Sequence, residues 1–219
     1  MADKPILIAG VEHCYDRYGF LRQVDPKPFT YDAAYQTASS KTTQQMAYLR
    51  IGYMLANISW SEFNGARVLE LGPGNGVQLA ALRQVGCFAD GLDLHEQSLH
   101  TTIPRGQAER VEWDILLACD VLEHFHNIDG LWRFPFKYAY ISTPALPDPA
   151  SVDLSAWRHF KPDEHVYYIE AAAFHLWAQA HKYHVLAFGC PEDVIRARWN
   201  ASYPNIHSFI MRRNREVAL

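Results

Sequence analysis

The chain has 219 residues, 49% of them hydrophobic, and a formal net charge of −4. That length and apolar content suit one domain with a substantial core, and the negative balance gives no bulk electrostatic case for nucleic acid. No apolar run is long enough to cross a bilayer and the N-terminus lacks a signal-peptide shape, so no membrane partner is expected. Cys14, Cys87, Cys119 and Cys190 are scattered without a CxxC pair, which reads as reduced thiols in a cytoplasmic protein.

Residues 1–40 are expected as an N-terminal hairpin or flap, ahead of a domain over 41–219 with an insertion around 145–170. Residues 5–24 alternate weakly between apolar and polar. The following DPKPFTYDAAYQTASSKTT, with its prolines and small polar residues, reads as a loop holding Tyr31-Asp32-Ala33-Ala34-Tyr35. From Thr42 to Trp60 the residues Met46, Leu49, Ile51, Met54, Leu55 and Ile58 mark the apolar face of a helix, and Arg50 sits among them.

Arg67 to Gly76, RVLELGPGNG, predicts a short strand, a glycine turn, and a helix VQLAALRQV ended by Gly86. Asn75 is placed to cap that helix. A dinucleotide fingerprint would be G-x-G-x-x-G, but Val77 stands where its last glycine should be. The next strand, CFADGLDL, carries Asp93 at its end, about 20 residues on, the usual distance for a ribose carboxylate. The E-x-G-x-G-x-G pattern followed by this acid resembles motif I of the class I S-adenosylmethionine (SAM) dependent methyltransferases. The resemblance implies SAM contacts from Glu70, Gly72, Pro73, Gly74, Gly76, Asp93 and Leu94. Tyr35, in a Y-D-x-x-Y ahead of motif I, is similar to the tyrosine that closes over the methionine end of SAM in many of these enzymes. Arg50 could reach the SAM carboxylate, since a guanidinium suits a planar bidentate pair.

Between Asp93 and Asp114 a typical family member fits a helix and a third strand, and this segment is too compressed for both. Gln107, Ala108 and Glu109 are the nearest candidates to meet adenine. WDILLAC, Trp113 to Cys119, reads as a buried parallel strand. The Asp120-Val121-Leu122-Glu123-His124 after it resembles the fourth-strand motif of SAM methyltransferases, which brings Cys119 and Asp120 to the cofactor. A helix to about Leu131, a strand over Lys137 to Thr143, a helix from Ala171 to His181, and strands YHVLAFG and NIHSFIMRR paired antiparallel complete the order. The expected fold is α/β: a Rossmann-like, seven-stranded sheet, mostly parallel with one antiparallel strand, and helices on both faces.

The resemblance implies methyl transfer from SAM to an oxygen or nitrogen of a small-molecule acceptor. His124, His159 and His165 are candidate general bases, because histidine titrates near neutrality. Asp120, Glu123 and His124 stand at i, i+3 and i+4, one face of a helix. With His165 they resemble the cation-holding set of plant small-RNA 2′-O-methyltransferases, which adds a divalent metal on Asp120, Glu123, His124 and His165. Trp157, Phe160, Tyr167 and Tyr168 are expected to rim the acceptor pocket. The alternatives are a metal-assisted methyltransferase acting on RNA, DNA or a nucleotide, and a non-catalytic SAM-fold binding module.

Overall fold

A computed structural model describes residues 5–29, 43–93, 100–196 and 203–214. The chain enters through three short antiparallel strands, β1 (Ile6–Ile8), β2 (Val11–Tyr15) and β3 (Leu21–Gln23). Ala9 and Gly10 both have positive φ, +50° and +82°, the tight turn that matches strand twist in a two-residue hairpin. Asp16 shapes the next turn, its Oδ1 accepting the amides of Tyr18 and Phe20 at 2.9 and 3.0 Å.

Helix α1 (Gln44–Leu55) is capped by Thr43, whose hydroxyl accepts the Met46 amide at 3.2 Å. It stops at Leu55 rather than running to Trp60; a second short helix, α2 (Trp60–Phe63), follows after a turn. β4 (Arg67–Leu71) leads through the glycines into α3 (Val77–Gln84), then β5 (Phe88–Leu92). The four-residue α4 (Arg105–Ala108) precedes β6 (Trp113–Cys119) and β7 (Phe136–Pro144). β8 (Tyr167–Tyr168) leaves this layer and pairs with β3, so the N-terminal meander and the insertion share a second, four-stranded sheet. Helix α5 (Ala171–Ala180), β9 (Tyr183–Gly189) and β10 (Ile206–Arg213) close the chain.

The main sheet runs β5-β4-β6-β7-β10-β9, with β10 antiparallel to both neighbours. Among the described residues the main sheet has six strands where seven were expected. Among the described residues no strand lies beyond β5. Thr102 instead donates its amide to the Gly91 carbonyl at 2.9 Å, and its hydroxyl accepts the Gly91 amide at 3.0 Å. The Thr101 hydroxyl accepts the Asp93 amide at 3.1 Å. The compressed segment thus satisfies the edge of β5 with side chains.

One face of the sheet packs Val68, Ile115, Leu117, Tyr138 and Ile210 under Ile51 and Met54 of α1 and Leu79 and Leu82 of α3. The other packs Leu69, Leu116, Ala139, Ile141 and Phe209 under Phe174 and Trp177 of α5. β6 and β7 are covered on both faces, which is why their centres, residues 115–118 and 138–141, read as apolar runs. After β6 the expected helix is replaced by two 3₁₀ turns, Leu122–His124 and Ile128–Arg133. The Val166 amide takes the Glu123 carbonyl at 2.7 Å, the acceptor that an α-helix would need to propagate.

Candidate active site

The glycine turn is walled on two sides and open in the middle. A Cβ on Gly72 would lie 2.7 Å from Val121 Cγ2, and one on Gly76 would lie 2.5 Å from His100 Nδ1, whereas a Cβ on Gly74 would meet nothing within 4 Å. Gly76 is in the left-handed region, φ +71°, at the N-cap of α3. Asn75 helps the helix begin, its Oδ1 accepting the Val77 amide at 3.2 Å. Asp93 stands at the end of the neighbouring strand with its amide fixed by Thr101. Tyr35 and Leu94 lie outside the described residues.

Glu70 lies on the α1 face of β4, buried at 3% exposure. Burial pushes its carboxyl up to about 8, against the opposing charges of Arg50 and Arg83. Among the described residues its Oε2 has no hydrogen-bond partner, and neither has the Nε2 or Oε1 of Gln78, which is buried in the first turn of α3. Buried polar groups are satisfied as a rule. Two partnerless ones beside an open glycine turn fit a ligand with its own donors and acceptors, such as the amino-acid end of SAM. Gln78 escaped the sequence reading; a polar side chain on the buried side of the helix behind the turn was the available signal. Ala108 is buried in the main core.

A step of polar residues crosses the carboxyl ends of the strands, where Cys119 is paired in register with Ser142 and Ser142 with Ser208. Burial raises the Cys119 thiol to about 12. Above this step Arg50 is held by a protein carboxylate. Its Nε and Nη2 donate to Glu192 Oε1 and Oε2 at 2.8 and 3.0 Å, and Tyr140 donates to the same carboxylate at 3.0 Å. Burial alone would raise Glu192, yet the Arg50 charge and hydrogen bonds hold it below the usual carboxylate range. The guanidinium fork expected to grasp the SAM carboxylate is therefore taken by a protein carboxylate. Arg196 donates to Glu192 Oε2 at 2.8 Å and to Asp120 Oδ2 at 2.6 Å. Asp120, at φ +54°, thus turns toward the arginines, and it is absent from the group of ligand atoms described next.

Glu123, His124 and His165 come together, their ligand atoms all within 4.8 Å of one another. His124 donates its Nδ1–H to the Glu164 carbonyl and His165 donates its own to the His159 carbonyl, each at 2.9 Å. With Nδ1 of each ring donating, His124 Nε2 lies 4.0 Å from Glu123 Oε1 and His165 Nε2 lies 3.7 Å from Glu164 Oε1. Fixing one ring nitrogen on a carbonyl is how metal-binding histidines are oriented. Burial lowers His124, and burial followed by the charges of His124 and Lys161 lowers His165 to about 2, so both rings are neutral near pH 7. Burial and the Asp120 charge raise Glu123 well above its ordinary value. The Thr143 hydroxyl donates to Glu123 Oε2 at 3.3 Å. His159 has a different job: its Nε2–H donates to Asn205 Oδ1 at 2.9 Å while its carbonyl aligns His165.

The aromatic rim is corrected by burial. Trp157 and Tyr168 pack with Leu21, Leu146, Leu154 and Phe160 in a small core between the insertion and the N-terminal sheet, and Tyr167 belongs to the main core. These rings hold the insertion in place instead of lining an open pocket.

No curated protein sequence matches the chain. Among solved structures, it resembles a SAM-dependent methyltransferase from Archaeoglobus fulgidus at 12% identity and TM-score 0.58, covering 83% of this chain and 100% of that one. It also resembles magnesium protoporphyrin IX methyltransferase from Synechocystis with bound S-adenosylhomocysteine (SAH), at 12% identity and TM-score 0.54, covering 86% and 90%. A candidate RNA methyltransferase from Pyrococcus horikoshii shares 10% identity at TM-score 0.50, covering 80% and 86%. At such identities the likeness speaks for the fold. The model of a methyltransferase domain matches residues 45–187, from α1 through β9. With that match over more than half its length, the chain belongs to the methyltransferase-domain family, as a class I SAM-dependent methyltransferase.

Proposed function

We propose that this enzyme methylates a hydroxyl oxygen of a small molecule carrying adjacent oxygens, with a divalent cation held by Glu123, His124 and His165. The observation that carries this reading is the pair of imidazoles pinned at Nδ1 by backbone carbonyls, grouped with the buried Glu123 so that their ligand atoms lie within 4.8 Å of one another. SAM supplies a sulfonium-activated methyl, so the protein's task is alignment of acceptor, methyl and sulfur. Glu70 and Gln78 beside the glycine turn bind the amino-acid end, and Asp93 binds the ribose. As the acceptor oxygen bonds to the methyl carbon, the carbon–sulfur bond breaks, SAH leaves, and the hydroxyl proton passes to solvent water. A divalent cation supplies the acidity for that loss. The neutral histidines would offer their lone pairs and Glu123 its carboxylate to such a cation, so its uptake would be coupled to deprotonation of Glu123. Mixed nitrogen and oxygen donors favour Mn²⁺ or Zn²⁺ over Mg²⁺.

The charge around the site supports a small acceptor. Arg196 is paired with Asp120 and Glu192, and Lys161 with Glu164. The test combines EDTA-treated enzyme, SAM and a panel of vicinal diols, their mono-deoxy analogues, and a short RNA. Activity on diols that EDTA abolishes and Mn²⁺ restores is the expected result. Activity indifferent to EDTA but lost in His124→Ala would replace the cation by a histidine base. Preference for the RNA, with steep salt dependence, would overturn the small-molecule acceptor.

A further inference from the structure

Neither Asp120 nor Glu164 belongs to the group of Glu123, His124 and His165, yet the Glu164 carboxylate borders it at His165. Asp120, the first acid of the D-V-L-E-H segment, is bound to Arg196 at 2.6 Å and lies 3.9 Å from Arg50. On the opposite side, Glu164 comes from the insertion and is mostly buried. Its carbonyl fixes His124 at 2.9 Å, and its carboxylate Oε1 is 3.7 Å from His165 Nε2. One residue thus orients one imidazole through its backbone and touches the other through its side chain. Its counter-charge is Lys161, one turn earlier, at 2.9 Å.

We infer that Glu164 is the second carboxylate donor of this centre, taking the place that Asp120 has given up to the arginines. The inference rests on the cation centre proposed above. Two carboxylates and two imidazoles make a four-donor set of net charge −2 when both acids are ionised, suited to Mn²⁺ or Zn²⁺. Lys161 competes for the same carboxylate. Its ammonium pairs with Glu164 at 2.9 Å, and engagement of that carboxylate by a divalent ion would release Lys161 toward solvent, where its side chain is already 42% exposed.

Titration of the full-length protein with Mn²⁺, followed by electron paramagnetic resonance of the free ion, tests this. Glu164→Gln keeps the backbone carbonyl that holds His124, and is expected to weaken Mn²⁺ binding on the order of tenfold or more. Asp120→Asn is expected to change it by less than about threefold. Lys161→Met is expected to tighten binding in the parent protein and to have no effect in the Glu164→Gln background, a coupling that a double-mutant cycle reads directly. Equal tightening by Lys161→Met in both backgrounds would mean a remote charge effect and overturns the inference. So does parent-like Mn²⁺ affinity in Glu164→Gln, while leaving the three-residue centre standing. A parent protein that takes up no Mn²⁺ removes the centre itself.

Discussion

Glu70 is a carboxyl that the fold holds neutral near pH 7, since burial raises it to about 8. A cofactor ammonium beside it would favour the ionised form. SAM or SAH binding at pH 7 is therefore expected to release a proton, read by calorimetry in buffers of different ionisation heat; Glu70→Gln should abolish that release. At Asp93, replacement by alanine is expected to cost about 1.5–3 kcal/mol of cofactor affinity, the range for hydrogen bonds to a charged group. Unchanged affinity there would displace the cofactor site. The expectation for these two positions rests on a local pattern, since strand, glycine turn and next-strand acid are neighbours in sequence. Arg50 misled for the opposite reason: its partner, Glu192, is 142 residues away. Nothing local distinguishes a ligand-binding arginine from one satisfied by its own chain. Removing that partner leaves a buried, uncompensated guanidinium, so Glu192→Ala is expected to cost about 3–5 kcal/mol of stability in denaturant melts.

The insertion does at the level of elements what no single residue could announce. Its strand β8 extends the N-terminal sheet, its Val166 amide ends the turn at Glu123, and its carbonyls at His159 and Glu164 aim two histidines. The sequence reading paired D-V-L-E-H with His165 through resemblance, and the structure brings Glu123, His124 and His165 together. It assumed a helix, however, and a helix would have kept Asp120 on the same face. Periodicity reports the hydrophobic face of an element; it is silent about a carbonyl captured by a chain segment 43 residues later. The second 3₁₀ turn has its own anchor in Asp129, which receives Arg17 at 2.6 Å, Trp177 Nε1 at 2.9 Å and His181 at 3.2 Å. It ties the N-terminal meander to α5. Asp129→Ala leaves a Trp177 N–H without its acceptor and is expected to cost about 1–3 kcal/mol, with earliest loss of protection in hydrogen exchange at β2 and β3.

Across the whole molecule, two kinds of buried group oppose each other in pH. His13, His124, His159, His165 and His207 are all lowered by burial, so each favours the folded state above its unfolded value of about 6.5 and loses that contribution as pH falls below it. Glu70 and Glu123 are raised by burial, so their contribution is complete below about 4.5 and is lost as pH climbs toward their folded values. Between these limits the five histidines outweigh the two glutamates, and above them only the glutamates act. Thermal midpoints of the ligand-free protein are expected to peak near pH 6.5 and decline on both sides. A midpoint that rises steadily to pH 8 would contradict the neutral state assigned to both acids.

That no strand lies beyond β5 among the described residues has a cost in company rather than in stability. Strand β5 stands at the border of the sheet, and the hydroxyls of Thr101 and Thr102 occupy outward amides that another polypeptide could otherwise claim. Valine at both positions keeps the shape but strips that protection. Such a protein should remain folded by circular dichroism, yet grow in apparent mass with concentration in light scattering. Two small side chains would then be what keeps this enzyme from adhering to its own copies.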